Sequence, residues 1–385
     1  MHKFYYNAVG QGLFFNATFQ LNDRKLYNFV YDCGTDKSQQ YLLNREINNF
    51  VSRTSHIDLL TVSHFDFDHV SGMKELLNKC PVEHVILPYL FNDEILMYLL
   101  SRYNQIPENE DWYYDFLINP FDFFIQFPSI KNITLVTNSK VGYGKNIWFQ
   151  RIGTINFPIT IEKDDRKLMI KLLSDEEDYP VDNFLNFKFY NYPITLQKRK
   201  SFDRKVLQYC RDNGIENNMS LITFVLESLE RRKEFKEHYE YLTKNHNNVS
   251  LLVSYDYRMD GCYNGKIYSE CIYCEGKFNE SLSNLDEITH ILTGDVSINY
   301  KRKHKQIYEH FDEQFSKLNF VQVPHHGSIC NWNDDILNQV QNHTCFIISN
   351  GNLHKHPHSE VTDSIEENYQ LFESNKTLRI ISCSY

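Results

Sequence analysis

The chain contains no uninterrupted apolar run of about 18 residues, which excludes a membrane-spanning helix of the usual kind. Its opening residues, MHKFYYNAVGQG, lack the charged-then-apolar layout of a secretion signal. Positive charge is also in short supply: 40 Lys and Arg stand against 50 Asp and Glu, for a formal net charge of -10. Non-specific coating of nucleic acid needs a basic face, so any nucleic-acid role must rest on local patches. No disulfide framework is legible, because the nine cysteines are an odd and scattered set, and reduced thiols are expected. Neither an internal repeat nor a low-complexity linker is found. These absences lead to the expectation of a soluble, cytoplasmic protein with no membrane partner.

What is present points to a folded chain. Hydrophobic residues make up 42% of the 385 and aromatic residues 15%, well above the content of a disordered segment. The length fits one large α/β domain with insertions or two modest domains. Heavy use of Asn, Lys, Ile, Tyr and Phe matches an AT-rich genome, so the aromatic count alone assigns no function.

Short apolar runs separated by turns, KFYYNAVGQG, GLFFNATFQL and KLYNFVYDCGT, predict antiparallel strands at the start. A helix is expected over SQQYLLNREINNFVSR, where Leu42, Leu43, Ile47 and Phe50 fall at helical spacing. An apolar strand then runs into SHFDFDHVSG, and SGMKELLNK opens a further helix with Ser71 as the expected N-cap. Residues 88–215, rich in aromatics and broken by Pro107, Pro120, Pro128 and Pro158, read as one insertion. NNMSLITFVLES reads as a strand, LERRKEFKEHYEYLTKN as a charged helix, and 228–288 as a second insertion. Strands return in ITHILTGDVS, NFVQVPHHGS and CFIISNGN, and LRIISCSY is the last of them.

Within TVSHFDFDHVSG, two histidines and two aspartates occupy six residues at the end of an apolar strand. Other strand ends carry similar groups: Asp32 and Gly34, Asp295, His325 and His326, then His356 and His358. In a layered α/β domain such ends converge on one cleft. Two divalent cations about 3.5–4 Å apart need several ligands, including a carboxylate able to bridge them, and His and Asp suit that task. A lone His or Asp is more often solvated or locally bonded; it is the packed cluster, joined to LTGD and PHHGS, that favours a metal site.

These motifs resemble those of the metallo-β-lactamase fold hydrolases, and within them the soluble domain of ComEC-type DNA-uptake proteins. AVGQG (Ala8 to Gly12), VYDCGT, SHFDFDHVSG, NNMSL (Asn217 to Leu221), LTGD, VPHHGS and HKHPH stand in that group's order and span nearly the whole chain. The resemblance implies a single αββα sandwich over 1–385, with the two insertions lying where it is silent. It implies two divalent metals, manganese or zinc with magnesium also allowed. His64 and Asp66 would hold one and Asp68 and His69 the other, with Asp295 bridging. A histidine from among His325, His326 and His356 would complete the set. The expectation carried forward places His325 on metal and gives Asp68, His326 and His356 catalytic roles, with Asp32 behind, fixing a ligand histidine's tautomer. The wider superfamily pattern is HxHxDH, so Asp66 replaces a histidine and shifts preference from zinc toward manganese or magnesium. NNMSL carries no histidine where that superfamily supplies one, and Gln322 stands where the ComEC-type group often has lysine.

The expected function is therefore a metal-dependent nuclease or phosphodiesterase. The basic stretches QKRKSFDRK (Gln197 to Lys205) and YKRKHK (Tyr300 to Lys305) would guide nucleic acid, although such runs are most often solvated helix faces. The alternatives are a hydrolase of a small ester, lactone, thioester or nucleotide, and a scaffold that docks a protein partner at the insertions. Cys262, Cys271 and Cys274 include a C-x-x-C pair, but ordinary reduced cysteines are the stronger reading than a structural zinc.

Overall fold

The computed structural model describes residues 1–22, 25–91, 94–95, 99, 111–142, 157–192, 194, 196–216, 221, 224–225, 227–228, 230–231, 233–235, 250–271, 277–299, 301–353 and 355–384. Its strands are β1 (His2–Tyr6), β2 (Phe15–Gln20), β3 (Leu26–Tyr31), β4 (Ile57–Thr61), β5 (Val82–Pro88), β6 (Asn132–Thr137), β7 (Ile159–Lys163) and β8 (Arg166–Ser174) in the first half. There follow β9 (Tyr179–Pro180), β10 (Leu185–Asn191), β11 (Leu251–Cys271), β12 (Lys277–Leu292), β13 (Phe320–Gln322), β14 (Cys345–Ser349), β15 (Gln370–Ser374) and β16 (Leu378–Ser384). Hydrogen bonds join them in the order β15-β14-β13-β12-β11-β16-β1-β2-β3-β4-β5-β6-β8-β7, with β10 and β9 branching from β11.

Alternation along the strands folds this continuous ribbon into two facing layers. Tyr31, Leu59 and Ile86 from the first half meet Leu292, Phe320 and Ile347 from the second in a shared inner core. Their neighbours Val30, Leu60 and Val85 point the other way, into a helical layer. That layer includes α1 (Gln40–Val51), through Leu43, Ile47 and Phe50, and α3 (Met73–Lys79), which follows the single turn α2 (Phe67–Val70). On the far side Ile291, Val321, Phe346 and Ile348 pack under helices. The αββα order expected from the resemblance is the order found.

Two aromatic helices, α4 (Asp111–Ile118) and α5 (Pro120–Phe124), join the first helical layer, as does α6 (Leu196–Asp212) through Phe202, Val206 and Tyr209. The opposite layer is built from α7 (Lys301–His310), α8 (Asp312–Phe315) and α9 (Ser359–Glu366). The ranges read as insertions contribute strands to the common sheet: β6 to β10 lie within 88–215, and β11 begins within 228–288 and pairs with both β10 and β16.

Two local expectations are corrected. Ser71 does not cap α3, whose N-cap is Gly72; the Ser71 hydroxyl instead donates to the Thr35 carbonyl and accepts from the Thr35 N–H. Leu221, Phe224 and Val225, expected in a strand, are helical. Their spacing lets Leu221 and Val225 reach the same core as α6, and a short apolar run is equally compatible with a strand or a buried helix. Residues 217–220 of NNMSL, together with Cys274 and the side chain of Cys262, lie outside the described residues. Cys33, Cys80, Cys210 and Cys330 are thiols rather than disulfide halves, as expected.

Candidate metal centre

Strands β3 to β6 run parallel, as do β12 to β15, and the carboxyl ends of both sets open on one edge. Crevices at such edges are where α/β sheets collect functional groups. Asp32 follows β3, residues 63–69 follow β4, Asp295 follows β12, and His325 and His326 follow β13. The two layers are stitched together here: the Leu251 N–H donates to the Ser63 carbonyl at 2.7 Å, and the Tyr31 hydroxyl donates to the Leu251 carbonyl at 2.7 Å.

Close backbone packing shapes the Asp66–His69 turn. Cys33 N–H donates to the His69 carbonyl, and Gly72 N–H returns to the Cys33 carbonyl, both at 2.9 Å. A Cβ on Gly34 would stand 2.4 Å from the Asp68 carbonyl oxygen, so only glycine permits this approach. Gly294 turns with φ of +54 and thereby aims Asp295 across the seam. His325 and His326 also hold positive φ, 48 and 55, a conformation that costs non-glycine residues about 1–2 kcal/mol each and tends to gather at functional sites.

Around Asp295 the side chains divide into two groups. Its Oδ1 lies 3.2 Å from His69 Nε2 and 3.9 Å from His326 Nε2, which in turn is 3.6 Å from Asp68 Oδ2. Its Oδ2 lies 3.9 Å from His64 Nε2 and 3.6 Å from His325 Nε2, with Asp66 Oδ2 3.8 Å from the same His64 nitrogen. Asp68, His69, Asp295 and His326 offer ligand atoms all within 4.8 Å of one another, as do Asp32, His64 and His69. His356 lies at the rim, its ring 5.5 Å from that of His325. The geometry thus draws His326 into the central set, with His325 on the other side of Asp295.

Hydrogen bonds fix which ring nitrogens face inward. Carboxylates and carbonyls accept only, so His69 Nδ1, 2.8 Å from Asp32 Oδ2, and His326 Nδ1, 2.7 Å from the Ser349 carbonyl, each carry the proton. Their Nε2 atoms, together with His64 Nε2 and Asp295 Oδ1, are buried without a hydrogen-bond partner. His69 Nε2 and Asp295 Oδ1 are near one another but not aligned to bond. Four unsatisfied buried polar atoms at one point are costly unless something binds them, and a nitrogen and oxygen donor set of this kind fits a divalent cation.

The carboxylates also concentrate negative charge at this point. Burial and the nearby His69 push His64 down to about 3. Burial opposes charge on His69 and His326, yet Asp295 with Asp32, and Asp295 with Asp68, outweigh it and raise both. Burial likewise opposes charge on Asp68 and Asp295, but the surrounding histidines hold both carboxyls below the usual range. The side chains of Asp68 and His325 are 30% and 27% exposed while His64, His69 and Asp295 are enclosed, so the cluster opens to solvent on the Asp68 and His325 side.

Of the basic stretches, Lys303 of α7 lies 4.8 Å from the Tyr192 ring, and burial together with the charge of Lys198 on α6 pushes it down to about 7. Arg199, in contrast, is buried, bonded to Glu94 at 2.8 Å, and stacked over Phe91. The aromatic helices back the Asp66–His69 turn from within, as the Tyr113 hydroxyl donates to the Phe65 carbonyl. Ser63, whose hydroxyl touches both Asp32 and His64, was missed by the sequence reading, although it directly precedes the motif.

No family model matches the chain, and no curated protein matches it. Among solved structures it is similar to the metallo-beta-lactamase fold protein YhfI from Bacillus subtilis, at 8% identity and a TM-score of 0.39 over 98% of this chain and 99% of that one. It is also similar to a long form RNase Z from yeast, at 12% identity and a TM-score of 0.35 over 91% of this chain and 36% of that one. A third is metallo-beta-lactamase SMB-1, at 8% identity and a TM-score of 0.30 over 83% and 79%. These likenesses concern chain path alone; the layering and the site rest on this chain's own contacts.

Proposed function

We propose that the protein is a metal-dependent hydrolase whose substrate is a phosphodiester of nucleic acid. The observation that carries the metal reading is the two-faced Asp295, each oxygen turned to a separate group of inward-facing ligand atoms. His64, Asp66 and His325 with Oδ2 would hold one divalent ion, and Asp68, His69 and His326 with Oδ1 the other. Asp66 adds an oxygen donor, which favours manganese or magnesium over zinc. Divalent metal at such a centre supplies hydroxide near neutral pH and neutralises charge growing on a phosphoryl oxygen.

The remaining work falls to the chain. Asp68, on the open side, would orient the attacking hydroxide. The hydroxide oxygen bonds to phosphorus, the bond to the leaving oxygen breaks, and His356 at the rim supplies that oxygen's proton. Asp32 keeps the ring of His69 in the tautomer whose Nε2 faces the ion. Lys198, together with Lys303 where it carries its proton, would attract the flanking phosphates.

This is also the reading suggested by the ComEC-type resemblance of the motifs, and RNase Z among the similar folds is named for RNA. A small-substrate hydrolase would call for a lid over the centre. Among the described residues the aromatic helices lie behind the turn instead, which favours an open site. We further propose 88–215 and 228–288 as elaborations of a single domain that shape approach to it and offer any protein partner its surface.

Incubation with single-stranded DNA, double-stranded DNA and RNA, each with manganese, magnesium or zinc, tests the proposal beside Asp68→Ala. Metal-dependent fragments that vanish in the variant support it. Bound metal with cleavage of small esters but no polymer would make it a small-substrate hydrolase, and no bound metal would leave a docking scaffold.

A further inference from the structure

We infer that Ser63 is a positioning residue through which the single carboxylate of Asp32 orients the histidines of both ligand groups, an inference that rests on the metal reading above. Asp32 is completely buried and sits at φ of 57, a strained conformation that turns its side chain back under the cluster. Its Oδ1 accepts from the Ser63 N–H at 2.6 Å, and its Oδ2 accepts from the Ser63 hydroxyl at 2.6 Å and from His69 Nδ1 at 2.8 Å.

A serine hydroxyl has one proton, and here it is given to Asp32. The Ser63 oxygen, 2.8 Å from His64 Nδ1, must therefore accept from that ring. His64 then carries its proton on Nδ1 and turns a bare Nε2 to the Asp295 side, although its ring has no direct bond to any carboxylate there. Asp32 governs His69 by contact and His64 by relay. The two rings are 4.1 Å apart at their centroids, close enough for one buried anion to serve both. A serine placed only to fill space would not need its proton and its lone pair spent in opposite directions.

The relay predicts an asymmetry. Removing the hydroxyl releases His64 and leaves His69 held, whereas neutralising Asp32 releases both. In metal-free protein at alkaline pH, where the rings are neutral, long-range proton–nitrogen NMR correlations report the tautomer of each histidine. Wild-type protein is expected to show both rings protonated on Nδ1. Ser63→Ala should shift His64 to a mixture with His69 unchanged, Ser63→Thr should restore the wild-type pattern, and Asp32→Asn should disturb both. Calorimetric titration with manganese should show one of two binding steps weakened about 10–100-fold in Ser63→Ala, the loss typical when a ligand's supporting hydrogen bond is removed.

An unchanged His64 tautomer in Ser63→Ala overturns the inference, as does an equal loss at both binding steps. If the tautomers shift as expected but neither wild type nor variant binds manganese, the relay stands and the metal reading falls.

Discussion

Buried histidines meet opposite treatment at two places in this molecule. In the inner core between the layers, His290 has both ring nitrogens bonded, Nε2 to the Tyr6 hydroxyl at 2.7 Å and Nδ1 to the Tyr255 hydroxyl at 2.9 Å. Phe4, Phe15 and Phe320 surround it, and no carboxylate is among its ring or hydrogen-bond contacts. At the edge, His64, His69 and His326 each have one nitrogen bonded and the other left bare beside carboxylates. Burial therefore does not distinguish a structural histidine from a ligand; a bare nitrogen set beside carboxylates does. His290 has finished its bonding within the protein, and the edge set is arranged for something else.

The comparison is broken most directly at Asp295. Asp295→Ala should abolish metal-dependent hydrolysis and remove the gain in melting temperature on adding manganese, measured by activity assay and calorimetry; a variant that still holds two ions per chain would refute the shared-carboxylate reading. Next in size, His290→Phe should leave the Tyr6 hydroxyl without its partner, take one of two histidine contacts from the Tyr255 hydroxyl, and lower unfolding free energy by about 2–4 kcal/mol in urea titration, with metal content per folded chain unchanged. Chelation should do the reverse, sparing the core and removing ligand-linked stability, about 2.7 kcal/mol when free metal had stood near 100 times its Kd.

The smallest effect is a pH slope. Burial, with the amino terminus, pushes His2 down to about 3, and burial with nearby His2 lowers His290 as well. The unfolded chain takes up protons near the ordinary value of 6.5 that the folded core refuses. Stability from these groups is thus complete above 6.5 and declines as pH falls below it. Each contributes a slope on the order of 1.4 kcal/mol per pH unit. In metal-free protein, His290→Phe should flatten that slope, and an unchanged slope would mean the core histidines are charged or exposed.

The edge set was legible in sequence because its residues are nearly contiguous: His64, Asp66, Asp68 and His69 sit on one turn, and Asp295 is flagged by the glycine before it. The choice between His325 and His326 was not legible, since both follow the same strand and only two left-handed backbone conformations decide where each ring goes. Ser63 escaped notice because a hydroxyl beside a histidine is common, and its role depends on Asp32 arriving from another strand. Ser71 looked like a cap by position, yet Thr35 offered its hydroxyl a better-defined pair of bonds. Periodicity failed at Leu221 to Val225, where an apolar run hides its own period. The layers themselves were readable, because strand alternation carries the same information as the cores it builds.

Asp295 comes from one layer of the sandwich and the histidine turn it faces comes from the other, with the Ser63–Leu251 bond crossing beside them. Neither layer holds a working centre alone. The centre is in this sense a latch across a seam, and any slippage of one layer against the other by a fraction of its 3–4 Å spacings would disarm it while both layers kept their hydrogen bonds. A chain built this way tests its own assembly at the place where the proposed centre forms, so a misdocked molecule would stay folded with its ligand atoms apart.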